Sequence, residues 1–135
     1  MDFKRRKSNM AFSNPYQTYQ KQAVTTSKPE ELTLMLYQGM VKFIRLSKTA
    51  LQQNNLEESH SYNLRAQDIV SELMVTLKKE YTISDSLNSL YEYMKSRLIE
   101  ANIHKKLDLL EEVEGYALQL AEAWSTAMNQ KKTNN

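Results

Sequence analysis

The sequence predicts an all-α protein, an antiparallel up-down-up-down four-helix bundle with a short N-terminal segment docked on it. Three observations carry this. Four stretches of roughly 20 to 25 residues repeat their apolar side chains at helical spacing. The 135 residues include only two glycines and two prolines, too few turn-formers for many short strands. The connections between the stretches are a few polar residues each, which returns every helix alongside its predecessor. A chain that is 25% charged and 41% apolar has enough apolar surface for a core, which excludes wholesale disorder. Its length is that of one domain. No apolar run approaches the roughly 18 residues of a membrane span, so membrane insertion is not expected. The absence of cysteine removes disulfides, thiolate metal sites and a Cys nucleophile, and fits a reducing compartment.

Residues 1–9 hold four basic groups and one acid, so the remaining 126 residues sum to −1 although the chain as a whole is +2. A nucleic-acid-binding domain carries its positive charge on the folded body, so no nucleic-acid partner is expected. The basic start lacks the apolar core of a signal peptide, and Met10 offers a second start; residues 1–9 read as a disordered basic extension or tag. Residues 10–26 form the docking segment. They place Phe12, Tyr16, Tyr19 and Val24 in an otherwise polar stretch, with Tyr16 and Tyr19 at i,i+3 on one face if Pro15 opens a helical turn.

The bundle spans 27–130, with 131–135 a frayed tail. Its first helix starts at a capping signature, Ser27 as N-cap with Glu30 three residues on and Pro29 in the first turn. Leu32, Met35, Leu36, Met40, Phe43 and Ser47 then form the core stripe. Beside it runs a second apolar row, Leu34, Tyr37, Val41 and Ile44, which a helix with one buried face does not need. The row reads as a surface awaiting a cover, and Val41→Asp is expected to spare the fold.

Gln52–Asn55 makes a polar turn, and Asn55 caps the second helix with Glu58 at the third position. Its stripe is Tyr62, Ala66, Ile69, Val70, Leu73 and Leu77, ending near Lys79. The third helix, capped by Ser84, buries Leu87, Leu90, Tyr91, Met94, Leu98 and Ala101, with Tyr93 and Ile99 outside the stripe. The fourth runs from Leu107 to about Met128 through Leu110, Val113, Ala117, Leu120, Ala121 and Trp124, widened by a flanking row that includes Leu109 and Tyr116.

Little in this chain suggests catalysis. Two glycines cannot build a phosphate loop, and there is no HExxH or Ser/His/Asp constellation. Glu57-x-x-His60 has the spacing used in di-iron bundles, but a second such pair and inward carboxylates are missing, so no metal or other cofactor is expected. Met35, Met40, Met74, Met94 and Met128 lie in or beside the stripes. They read first as core gap-fillers and second as a groove that repacks around a partner helix.

The runs E-E-L-T-L-M-L-Y-Q-G-M-V-K-F-I, S-E-L-M-V-T-L, S-L-Y-E-Y-M-K-S-R-L-I-E-A-N and L-E-E-V-E-G closely resemble the FliS family of flagellin export chaperones, in matching order and spacing over about residues 12–126. The resemblance implies a cytoplasmic, non-enzymatic helical bundle. Such a bundle binds the C-terminal segment of flagellin, prevents its early polymerisation and hands it to the flagellar type III export gate protein. Other flagellar regulators are further candidate partners. Tyr16 and Tyr19 match the family's N-terminal pair, which implies a role over the groove. Together with the docking segment and the second apolar rows of the first and fourth helices, this makes the partner-binding candidates Tyr16, Tyr19, Val24, Leu34, Tyr37, Val41, Ile44, Leu109 and Tyr116. A helical adaptor for another protein and a ferritin-like metalloprotein are the competing classes.

Overall fold

The computed structural model describes residues 28–80 and 85–134, and all regular structure among them is helical. The helices are α1 Pro29–Gln52, α2 Leu56–Glu80, α3 Asp85–His104 and α4 Leu107–Asn134. Ser84 and residues 1–27, with the expected basic extension and docking segment, lie outside the described residues.

Local chemistry sets the ends. Pro29 occupies the first helical position, where its missing N–H leaves no bond unmade. That makes Lys28 the N-cap, and the Glu31 carboxylate reaches back to the Lys28 N–H at 3.2 Å. The expected cap, Ser27, lies outside the described residues. At the other end of α1, Asn54 takes the left-handed conformation (φ 60°). Its N–H bonds Leu51 O at 3.0 Å and the Asn55 N–H bonds Ala50 O at 2.8 Å, closing the helix with a Schellman turn. Asn55 then opens α2, its Oδ1 accepting from the Glu58 N–H at 3.2 Å, as its sequence position predicts. The α3–α4 turn repeats the device, with Lys105 at φ 53° and Lys106 N bonding Ala101 O at 3.0 Å. α4 continues past Met128 to Asn134. No Gly or Pro interrupts it there, and Lys131 and Lys132 complement the negative end of its dipole.

Side-chain pairs fix the topology. Phe43 stacks on Tyr62 and Ser47 meets Ser59, so α1 and α2 run in opposite senses. Asn63 with Leu98 and His60 with Asn102 do the same for α2 and α3. Tyr93 with Tyr116 and Arg97 with Glu112 relate α3 to α4. Arg45 with Glu114 and Tyr37 with Trp124 close the ring from α4 back to α1. The bundle is antiparallel and up-down-up-down.

Its core is filled by Leu36, Met40, Ile44, Val70, Leu73, Met94, Leu98, Leu110 and Val113, all essentially inaccessible. Among the described residues the buried polar side-chain atoms are paired, except Asn88 Oδ1. The Ser47 hydroxyl donates to Ser59 O at 2.8 Å while the Ser59 hydroxyl donates to Ser47 O at 2.9 Å, a reciprocal clasp that small side chains allow where α1 and α2 approach. Asn63 donates to Leu98 O at 3.1 Å and accepts from Gln67 at 2.7 Å. The hydroxyls of Tyr37 and Tyr91 bond each other across the bundle diagonal.

Gly115 sits half-buried in the middle of α4, and a Cβ added there meets nothing within 4 Å. The helix therefore carries glycine's entropic cost with no compensating close approach inside the chain. Gly115→Ala is expected to raise stability by about 0.5–1 kcal/mol, measured as a higher midpoint in urea at unchanged slope.

Candidate functional site

The second apolar row of α1 turns out to be mostly interior. Tyr37, Val41 and Ile44 are buried and only Leu34 keeps partial exposure. One reason is the side of α1 on which they lie. Tyr37 packs edge-on against Trp124 at 6.1 Å, and eight residues later Arg45 reaches Glu114. Val41, four residues from each, is bracketed by two contacts to α4. Tyr37 and Arg45 bring this side of α1 against α4, and the burial of the row is also what a cover by residues 12–24, which lie outside the described residues, would produce. The flanking row of α4 has the same explanation. Leu109 is buried, and Tyr116 is half-buried with its ring at 6.1 Å from that of Tyr93 on α3. Tyr16, Tyr19 and Val24 lie outside the described residues.

Polar clamps hold α4 on both flanks. The Glu114 side chain is only 12% exposed and accepts from Lys48 Nζ and Arg45 Nε, each at 2.7 Å. Burial pushes this carboxyl upward, but the hydrogen bonds and charges of Lys48 and Arg45 outweigh it and leave Glu114 below its ordinary value of 4.5. A carboxylate lowered by folding contributes stability above its unfolded value, and that contribution is lost as pH falls through the folded one. Glu114→Gln should therefore cost about 1–2 kcal/mol at pH 7. The gap between variant and parent should close below the ordinary carboxylate range, as read from urea melts at both pH values. On the other flank Tyr93 donates to Glu112 at 2.6 Å and accepts from Arg97 Nε at 2.9 Å. The bond to Glu112 holds the phenol proton and raises Tyr93.

The accessible apolar surface lies elsewhere. Among the described residues the exposed large apolar side chains are Leu56, Leu64, Val75, Tyr93, Ile99, Ile103 and Leu118. Six of these seven belong to the α2/α3 pair. Asn63 and Leu98 face each other across the seam. Leu64 and Ile99 each follow by one residue, so both turn outward by about 100° onto the same outer groove. Val75, eleven residues after Leu64, returns to the same side of α2. Ile103 continues the α3 wall, and Leu56 stands at the same end of the groove. The floor there is polar: Lys105 Nζ donates to Asn102 Oδ1 at 2.8 Å, and Asn102 Nδ2 lies 2.8 Å from His60 Nδ1. From Leu56 to Val75 the groove is roughly 28 Å long.

Sequence reasoning missed this groove. Leu64 and Ile99 each look like one stray apolar residue outside a stripe, and the only available signal was that both strays follow seam residues. Among the described residues no group of three or more His, Asp or Glu side chains could hold a metal ion, and no helix is long and apolar enough to cross a membrane.

Residues 12–131 match the family model described as Flagellar protein FliS. A flagellar secretion chaperone FliS of Bacillus subtilis is 42% identical over 123 residues, covering 91% of this chain and 92% of the relative. The protein of the same name from Salmonella typhimurium is 31% identical, covering 76% of this chain and 78% of its own. The flagellar secretion chaperone FliSB of Pseudomonas aeruginosa is 30% identical, covering 75% and 82%. With the four-helix architecture and a match across most of its length, the chain belongs to the FliS family of flagellar proteins.

Proposed function

We propose that this protein is a cytoplasmic export chaperone that binds the C-terminal segment of flagellin, keeps it from polymerising early and delivers it to the flagellar type III export gate. The single observation that supports it most is the row Leu64, Val75, Ile99 and Ile103, an open aliphatic groove on a chain of this family. Flagellin's terminal segment is read here as an amphipathic helix that must bury its apolar face somewhere before assembly. A groove between two helices offers that face a substitute, the helix-in-groove mode of recognition. Ordering a disordered segment costs about 2–5 kcal/mol. Aliphatic burial at roughly 25 cal/mol per Å² offsets this once a few hundred Å² are covered. The action is binding alone, with no catalytic step.

Tyr16 and Tyr19 keep, within this proposal, the part over the groove implied by the family resemblance, and Val24 goes with them as an apolar residue of the same docking segment. Leu34 and Tyr116 are the accessible members of the flanking rows, whereas Tyr37, Val41, Ile44 and Leu109 act as packing. The test is titration calorimetry with full-length flagellin and with flagellin lacking its C-terminal segment. Binding and inhibition of filament growth by the first, and neither by the second, is the expected result. Equal binding to both forms, or to neither, sinks the reading.

A further inference from the structure

The α2/α3 groove is not apolar throughout, and the exception has a fixed chemical sense. Between the Leu64/Ile99 level and the Leu56/Ile103 end, His60, Asn102 and Lys105 form a chain of hydrogen bonds, each 2.8 Å long. An ammonium has only donors, so the Asn102 oxygen must face Lys105 and the Asn102 NH2 must face His60. Reversing the amide would set N–H2 against NH3⁺ at 2.8 Å. With an NH2 pointing at it, His60 Nδ1 can only accept, and the neutral ring carries its proton on Nε2. His60 is exposed, and Nε2 has no partner among the described residues.

We infer that His60 is a specificity-determining residue of the groove: its Nε2–H, held in one tautomer through Asn102 by Lys105, donates to a carbonyl or carboxylate oxygen of the docked segment. Lys105 and Asn102 are positioning residues in this scheme. The inference rests on the flagellin reading for its occupant, but the tautomer stands on this chain alone. Its physical content is discrimination. Aliphatic walls accept any apolar helix, whereas a fixed donor among them penalises a segment that arrives without an acceptor, because the N–H would then lose water and gain nothing.

Two measurements test it. Imidazole nitrogen shifts of the free, full-length protein should show His60 as the Nε2–H tautomer, and Lys105→Met should convert this to a mixture by releasing the Asn102 amide. A tautomer with the proton on Nδ1, or a Lys105→Met spectrum identical to the parent, overturns the orienting argument.

Calorimetry with a synthetic peptide of the flagellin C-terminal segment then reads the donor. His60→Phe keeps the ring and its area and should bind about three- to tenfold more weakly than the parent. The same change against peptides with single acceptor side chains removed locates the partner. Coupling at one position assigns a side-chain oxygen, and an undiminished loss at every position assigns a backbone carbonyl. Parent-like affinity of His60→Phe overturns the role of His60 while leaving the flagellin reading intact. No binding by the parent overturns both.

Discussion

Val41→Asp should unfold this bundle at neutral pH. Val41 is 7% exposed and sits on the α4-facing wall of α1, between the Tyr37–Trp124 contact and the Arg45–Glu114 pair. A carboxylate placed there leaves water without gaining a partner, because Arg45, one turn along α1, is already bonded to Glu114. The new charge would also stand near that of Glu114. Burying an unpaired charge costs at least about 3 kcal/mol after neutralisation or relaxation, a large share of the roughly 5–15 kcal/mol that holds a domain together. Circular dichroism should show lost or non-cooperative helix, with partial recovery as pH falls and the new group protonates. A cooperative melt within about 1 kcal/mol of the parent would mean that the row is accessible surface after all.

The second large effect is on binding, with the fold untouched. Leu64→Glu combined with Ile99→Glu changes two side chains that are 42% and 39% exposed, so the bundle should melt within about 0.5 kcal/mol of the parent. In the complex both carboxylates would be covered by an apolar segment, facing each other across the groove. Two unpaired charges at the centre of an interface should weaken the flagellin segment by about a hundredfold or more, measured by calorimetry against the same peptide. Parent-like affinity would move the docking surface away from α2/α3.

These two sites also show how far one chain can be read without its neighbours. The helices and most of their ends were legible, since capping chemistry is local: Asn55 and Glu58 declare the start of α2 wherever α2 goes. Pro29 marks the start of α1 in the same local way, at the first helical position where its missing N–H leaves no bond unmade. Harder to read was what buries the wide apolar arc on α1. Periodicity reports how much of a helix is buried, but not against what. In a four-membered ring α1 meets α2 on one side, α4 on the other and α3 across the diagonal, so its arc must be wider than one stripe. The groove failed in the opposite direction. Leu64 and Ile99 are single residues on different helices, and only the antiparallel register set by Asn63 and His60 makes them neighbours. The buried polar pairs Ser47–Ser59 and Asn63–Leu98 were invisible for the same reason, because a hydrogen bond between helices has no period in either.

The edge-on meeting of Trp124 and Tyr37 has an optical consequence. Trp124 is the only tryptophan in the chain, so its emission comes from one place, where the C-terminal half of α4 lies on α1. Light absorbed by the tyrosine population is passed to a single half-buried indole, whose colour records how wet that corner is. A ligand seated between α2 and α3 lies on the far flank from that corner. Its arrival should leave the spectrum still if the four helices behave as one solid body. A spectral shift on binding would show that filling one groove loosens the packing across the bundle, and would turn the native chromophore into a gauge of strain transmitted from α2/α3 to α1/α4.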